Sequence, residues 1–307
     1  MGTQSGPGSH MAGAQLKDAE FITFGPIALD IRELERSIRF WREVVGLHAV
    51  DMSDGTAALG VGGEPLVVLH RAATQPAQPG YAGLYHFAIN LPTEPELART
   101  LARLRASGVR FGATDHIVAK SLYVSDPDGI GLELTFETPD RMRSARWDEG
   151  EPAPIVIDAQ GRRRKGLEPL DLQELLAHLP GGDVMTTLPV TTRVGHLHLQ
   201  VGDLDRSYRF YRDGLGLVPK LYAPWASYGD LGVSGHFAHR IAVNTWRGAG
   251  LPPRPAAVAG MRSFTVRLRG DTALQDALGR FAHADARDRG YLVRDPDNNA
   301  MVLEASR

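Results

Sequence analysis

Two stretches of the chain repeat one pattern of apolar and polar positions. GPIALDIRELERSIRFWREVVGL, from Gly25, and GHLHLQVGDLDRSYRFYRDGLGL, from Gly195, align without a gap and share 10 of 23 residues. Each opens with alternating apolar positions, Ile27, Leu29, Ile31 and Leu197, Leu199, Val201, the period of a strand with one buried face. The period then changes. Leu34, Ile38, Trp41 and Val45 recur at helical spacing, with Gly46 where a left-handed C-terminal cap falls. Leu204, Tyr208, Tyr211 and Leu215 do the same between an N-capping Asp203 and Gly216.

The downstream segments also correspond. AGLYHFAINLP from Ala82 matches AGMRSFTVRLR from Ala259, and SDPDGIGLEL from Ser125 matches RDPDNNAMVL from Arg294. The strand, helix, strands order therefore occurs twice in each half. After His86 to Leu91 the pattern predicts a helix capped by Thr93, carrying Leu97, Leu101 and Leu104 and closed by Gly108; VRFGAT, SLYVSD and GLELTF follow as short strands. The segment 140–192 begins polar and rich in Pro and Gly, and its one expected element is a short helix at Asp171 to His178. The reading is an α+β protein of two tandem domains, 21–139 and 193–307, joined by the 140–192 linker and preceded by a disordered 1–20.

Composition narrows the chemistry. A chain of 307 residues suits two domains of ordinary size. The net charge of -2, with Lys and Arg scattered, argues against a nucleic-acid partner. There are no cysteines, so disulfides, thiolate nucleophiles and Cys-ligated metals are excluded and any metal must rest on His, Asp or Glu. No apolar run spans a bilayer and no secretory pattern opens the chain, so no membrane partner and a soluble cytoplasmic protein are expected; a homo-oligomer is compatible with the sequence. Residues 1–10 read as a tag remnant, and His10 is set aside with them.

On GPIALDIRELERS, GHLHLQVGDLDRS, GLYHFAINLP and DPDGIGLEL, the chain resembles the vicinal oxygen chelate superfamily, which includes glyoxalases, bleomycin resistance proteins and extradiol dioxygenases, and within it the two-domain catechol 2,3-dioxygenase-like members. The resemblance implies, in each domain, paired βαβββ modules forming a cupped mixed sheet with helices on the outer face. It also implies a metal held by a His on the first strand of one module, a His on the first strand of the next, and a Glu near a last strand. The corresponding positions are Pro26, His86 and Glu133 in the first half and His196, Ser263 and Val302 in the second, so neither half carries the full set. Glu64, at the start of EPLVVLHR, could replace Pro26 beside His86 and Glu133. In the second half His196, His239 and Glu304 form a rival set of two His and one carboxylate. His198 and His236 read as polar lining or surface residues. Thr114-Asp115-His116, Leu122-Tyr123, Asp126-Pro127-Asp128-Gly129 and Glu133 fit the extradiol ring-cleavage signature, which implies His116 as acid/base and Tyr123 as hydrogen-bond donor to substrate.

Three functions compete at this level. The first is an Fe(II)- or Mn(II)-dependent extradiol-type dioxygenase, another divalent metal being open, acting on a small catechol-like aromatic. The second is a metal-free protein that binds or confers resistance to an aromatic natural product; Pro26, Ser263 and Val302 favour it, and its cup would be lined by aromatics such as Trp41, Tyr85, Tyr123 and Trp225. The third is a glyoxalase-like isomerase or lyase using Glu64 and Glu133.

Overall fold

A computed structural model describes residues 21–235 and 238–306. The tag-like residues 1–10, with the rest of 1–20, and His236 lie outside the described residues.

Four βαβββ modules follow one another. The first has β1 (Ile22–Ile31), helix α1 (Leu34–Arg39, prolonged by a wider turn, Phe40–Val45), β2 (His48–Ser53), β3 (Thr56–Val61) and β4 (Glu64–Arg71). The second has β5 (Gly83–Asn90), α2 (Glu94–Ser107), β6 (Gly112–Asp115), β7 (Ala119–Ser125) and β8 (Gly131–Glu137). An insertion contributes β9 (Met142–Arg146), β10 (Ile155–Asp158), β11 (Arg163–Lys165), β12 (Glu168–Pro169) and α3 (Leu172–Ala177). The third module has β13 (Arg193–Gln200), α4 (Leu204–Leu215), β14 (Val218–Ala223), β15 (Tyr228–Gly232) and β16 (His239–Asn244). The fourth has β17 (Gly260–Arg269), α5 (Gly270–Leu278), β18 (Asp285–Ala286), β19 (Tyr291–Arg294) and β20 (Ala300–Ser306). The capping residues act as the pattern requires. Thr93 and Asp203 accept backbone N–H groups of their helices, and Gly46, Gly108 and Gly216 close theirs with φ of 96°, 68° and 70°.

The α+β class and the cupped mixed sheets are those expected, but the modules do not pair in sequence order. The first joins the fourth through β1 and β17, giving an eight-stranded sheet; the second joins the third through β5 and β13, giving a nine-stranded sheet. Each sheet thus draws one module from either half of the duplication. The expectation that 21–139 and 193–307 would each close its own cup is corrected on this point. The physical reason is that a first strand needs a partner along its open edge, and a distant strand serves as well as a near one once side chains fit.

Contacts within a half are made instead by the Asp-Pro-Asp turns. Buried Asp128 accepts from the Arg32 backbone N–H (2.9 Å), from Arg32 Nε (2.6 Å) and from Arg36 Nη2 (2.5 Å), clamping module two to the helix start of module one. Asp297 repeats this toward module three, accepting from Gly202 N–H and Ser207 Oγ, while Asp295 accepts from Tyr211 Oη. A continuous apolar core, including stacked Trp41 and Phe87, runs through all four modules. Truncating Asp128 to Ala strands two partly exposed arginines and an orphaned N–H; the expected cost is about 2 kcal/mol, read as a lower urea midpoint with m unchanged.

The insertion is more structured than a linker with one helix. The helix is present, capped by Asp171, but β9, β10 and β11 form a separate three-stranded sheet and β12 adds to the edge of the nine-stranded one. RRRK and IVID alternate too briefly to reveal a sheet whose partners are local but whose buried face needs another domain. No helix of the described residues is long and apolar enough to cross a membrane.

Candidate metal centre

The crosswise pairing brings His86 of β5, Glu133 of β8 and His196 of β13 together inside the nine-stranded cup. Glu133 Oε2 lies 3.0 Å from Nε2 of His86 and 3.0 Å from Nε2 of His196, and one donor atom from each residue falls within 4.8 Å of the others. Each strand presents its residue through the two-residue period. β5 and β8 run parallel with Ala88 opposite Glu133, and β13 runs antiparallel to β5 with His198 opposite His86, so His86, His196 and His198 share a face. Behind the carboxylate, Ser121 Oγ donates to Glu133 Oε1 at 2.6 Å and lies 2.9 Å from Thr135 Oγ1. These partners fix the carboxylate and leave Oε2 directed at the histidines.

The electrostatics suit a divalent cation. Burial pushes the Glu133 carboxyl up, but the His196 and His86 imidazoles beside it outweigh that and hold it well below the usual range, so it is ionised. Burial lowers His196 to about 4 against the pull of Glu133, so its ring is neutral and its Nε2–H donates to Glu133 Oε2, a proton that a bound cation would replace. Two imidazoles and one carboxylate on one face form a two-His, one-carboxylate donor set with the remaining directions open to the cavity.

Three further groups surround this set. His116 Nε2 is 2.8 Å from Tyr123 Oη and its Nδ1 is 3.1 Å from the Gly166 carbonyl. The carbonyl can only accept, so Nδ1 carries the proton and Tyr123 donates to Nε2. Burial lowers the His116 pKa, and burial followed by the Glu133 charge raises that of Tyr123, keeping both neutral. The turn that carries His116 holds Ile117 at φ 67°, costly for a β-branched residue, and Asp115 Oδ1 secures it by accepting the Ile117 N–H at 2.7 Å. His239, at the start of β16, has Nδ1 3.3 Å from Asp230 Oδ2 and its ring 4.3 Å from that of His196, while its buried Nε2 has no partner. His198 is buried and neutral by desolvation, and its Nε2 accepts from Asn244 Nδ2 at 2.8 Å. Its lone pair is thereby occupied.

The expected residues divide accordingly. His86, Glu133, His196, His116, Tyr123 and His239 all line one cavity of about 880 Å³. Glu64 and Glu304 do not. Both lie in the eight-stranded sheet, where Glu64 Oε1 pairs with Arg267 Nη1 at 2.5 Å and Glu304 Oε2 lies 3.6 Å from Arg267 Nε. Glu64 is therefore neither a substitute ligand nor a partner of Glu133, and Glu304 does not complete a set with His196 and His239. Pro26, Ser263 and Val302 fall in that same sheet, so its cup lacks the ligand positions while the other keeps all three. Trp41 stacks in the core and Trp225 does not line the cavity, whereas Tyr85 and Tyr123 do. Ser121, Thr135, Asp230 and Gly166 escaped the sequence reading. The period-two His196 and His198 were the available signal that β13 turns a polar face inward.

The chain resembles known proteins in sequence and in fold. The profile of the Glyoxalase/Bleomycin resistance protein/Dioxygenase superfamily matches residues 23–134. The chain is 34% identical over 284 residues to the catechol-2,3-dioxygenase of Bacillus subtilis (strain 168), spanning 91% of this chain and 93% of that protein. Over 94 residues it is 38% identical to biphenyl-2,3-diol 1,2-dioxygenase 2 of Rhodococcus globerulus, spanning 28% of this chain and 49% of that one. The crystal structure of glyoxalase I from Zea mays superposes with a TM-score of 0.53 at 17% identity, covering 92% of each chain, a likeness of fold alone.

Proposed function

The chain belongs to the glyoxalase/bleomycin resistance/dioxygenase superfamily, and from that premise we propose that it is a metal-dependent extradiol-type dioxygenase that cleaves the ring of a catechol-like aromatic. The observation that carries this reading is the convergence of His86, His196 and Glu133 beside the His116–Tyr123 pair in one cavity. The degenerate positions that favoured a metal-free binding protein all belong to the other cup. The isomerase reading needed Glu64 and Glu133 on one divalent metal, and the two are in different sheets.

His86, His196 and Glu133 would hold Fe(II) or Mn(II). Such an ion lowers the pKa of two adjacent ring hydroxyls and brings O₂ beside the ring. The protein's own groups then handle protons. His239 Nε2, buried and unpartnered, is the proposed acceptor of a catechol proton, its ring oriented by Asp230 Oδ2, 3.3 Å from Nδ1. Tyr123, its pKa raised, stays protonated; its single proton, held on His116 Nε2 in this structure, would turn to a substrate oxygen once substrate binds. His116, oriented by the Gly166 carbonyl, has Nε2 free to take a substrate proton when Tyr123 turns to the substrate, and would return that same proton to the ring-opened product.

Anaerobic loading with Fe(II), addition of catechol and admission of air is the direct test. The expected result is one O₂ consumed per catechol with a coloured ring-fission product. Stoichiometric iron binding with no consumption of any catechol would overturn the reading.

A further inference from the structure

Beside the donor set, β13 carries a second histidine with no part in the proton transfers. His198 follows His196 by one strand period and stands opposite His86, with the two rings 4.9 Å apart. Its counterpart in the duplicated segment from Gly25 is Ala28, just as that of His196 is Pro26. The first strand that enters the metal-binding cup thus has a histidine at both positions, and β1 in the other cup has neither.

Aromatic rings enclose His198. The centroids of Tyr85, Trp246 and Tyr228 lie 5.0, 5.1 and 5.7 Å from that of its ring, and the residue is only 5% exposed. A polar ring in such a wall is costly unless its nitrogens are used. One nitrogen is used, and it fixes the state of the other. The Trp246 backbone N–H donates to Asn244 Oδ1 at 3.0 Å, which settles which end of that amide is oxygen. Asn244 Nδ2 is therefore the donor, and the His198 Nε2 that it meets at 2.8 Å must carry the lone pair. A neutral imidazole has one N–H, so the proton sits on Nδ1. Nδ1 meets no acceptor among the described residues, yet it is not sealed in the core, and His198 lines the cavity over the metal centre. A fixed donor thus faces the space that a substrate would fill.

We propose that His198 is a substrate-binding residue whose Nδ1–H donates to an ionised oxygen of the catechol and favours that ionised form. The inference rests on the ring-cleavage reading for its substrate and deepens it by assigning a residue that neither holds the metal nor moves a proton. As a donor only, His198 differs in kind from His116 and His239, which are placed to accept. Hydrogen bonds to a charged acceptor are the strong ones, and this one is worth roughly 10- to 100-fold in affinity for the ionised ligand.

The probe is 4-nitrocatechol, whose visible absorption reports its ionisation, titrated without oxygen into the Zn(II)-loaded protein. His198→Phe should keep one metal per chain, bind nitrocatechol roughly 10- to 100-fold more weakly, and need a pH about one unit or more higher to hold it ionised. His198→Asn, which returns an amide N–H near the place of Nδ1, should recover most of that loss. A residue kept for packing alone would give the opposite order, since Phe fills the aromatic wall and Asn does not. Nitrogen-15 NMR of the histidine-labelled wild type needs no substitution to fold: it should show His198 protonated on Nδ1, with that proton moving downfield as nitrocatechol binds. No binding of nitrocatechol by the wild type, unchanged affinity and ionisation in His198→Phe, tighter binding by the Phe than by the Asn variant, or a proton on Nε2 would each overturn the proposal. If the iron-loaded wild type cleaves no catechol, the ring-cleavage reading fails, while nitrocatechol binding still decides the role of His198.

Discussion

Replacing either His86 or His196 with Ala is expected to strip the metal from the whole chain and lower ring cleavage by more than about a thousandfold. The two histidines lie in different halves of the duplication, yet their Nε2 atoms address the same Glu133 oxygen. Removing one leaves two donors, too few for a divalent ion in competition with water. Elemental analysis should find one metal per wild-type chain and almost none in either variant. Glu133→Ala should behave likewise, and Ser121→Ala, which frees Glu133 Oε1, should weaken metal affinity about 10- to 100-fold. Glu64→Ala and Glu304→Ala should keep both metal and turnover within about twofold, because these carboxylates serve Arg267 in the other sheet. Metal retained in His196→Ala but lost in Glu304→Ala would place the centre in the wrong cup and sink the composite site.

His116→Gln and His239→Gln are expected to retain the metal and lose kcat by about 10² to 10⁴, the range of a positioned acid or base. The pH dependence distinguishes them from structural residues. Burial lowers the His116 pKa from its ordinary value near 6.5. A depressed imidazole is the neutral, accepting form at every pH above that lowered value and is lost as pH falls through it. The acid limb of kcat should therefore lie below pH 6.5 in the wild type, and His116→Gln should remove the limb it contributes. Stopped-flow rates across pH on iron-loaded protein read this directly. Full activity in both variants would exclude proton transfer by these rings.

Much of the fold is written in local periodicity. The alternation at Ile27, Leu29, Ile31, the helical run ending at Gly46 and the DPDG turn each follow from forces acting within a few residues, and each appears where the pattern puts it. The family was legible for the same reason, since its motifs are local. His86, His116, Tyr123 and Glu133 could be named from one continuous stretch because they share a module. The DPDG turn also does something that its local pattern does not reveal, fastening module two to Arg32 and Arg36.

The site as a whole was not legible. Scoring each half separately makes Pro26, Ser263 and Val302 look like losses from two damaged centres and draws in Glu64 and Glu304 as repairs. The folded chain instead gathers all three missing positions into one cup and all three candidate ligands into the other. The sequence by itself determined the four modules, their strands and helices, and the residue types able to bind a metal, because backbone preference and hydrophobic period act locally. Which strand edges meet, and hence that His196 belongs with His86 and Glu133, was decided only in three dimensions, since edge pairing is set by the fit of side chains far apart in the chain.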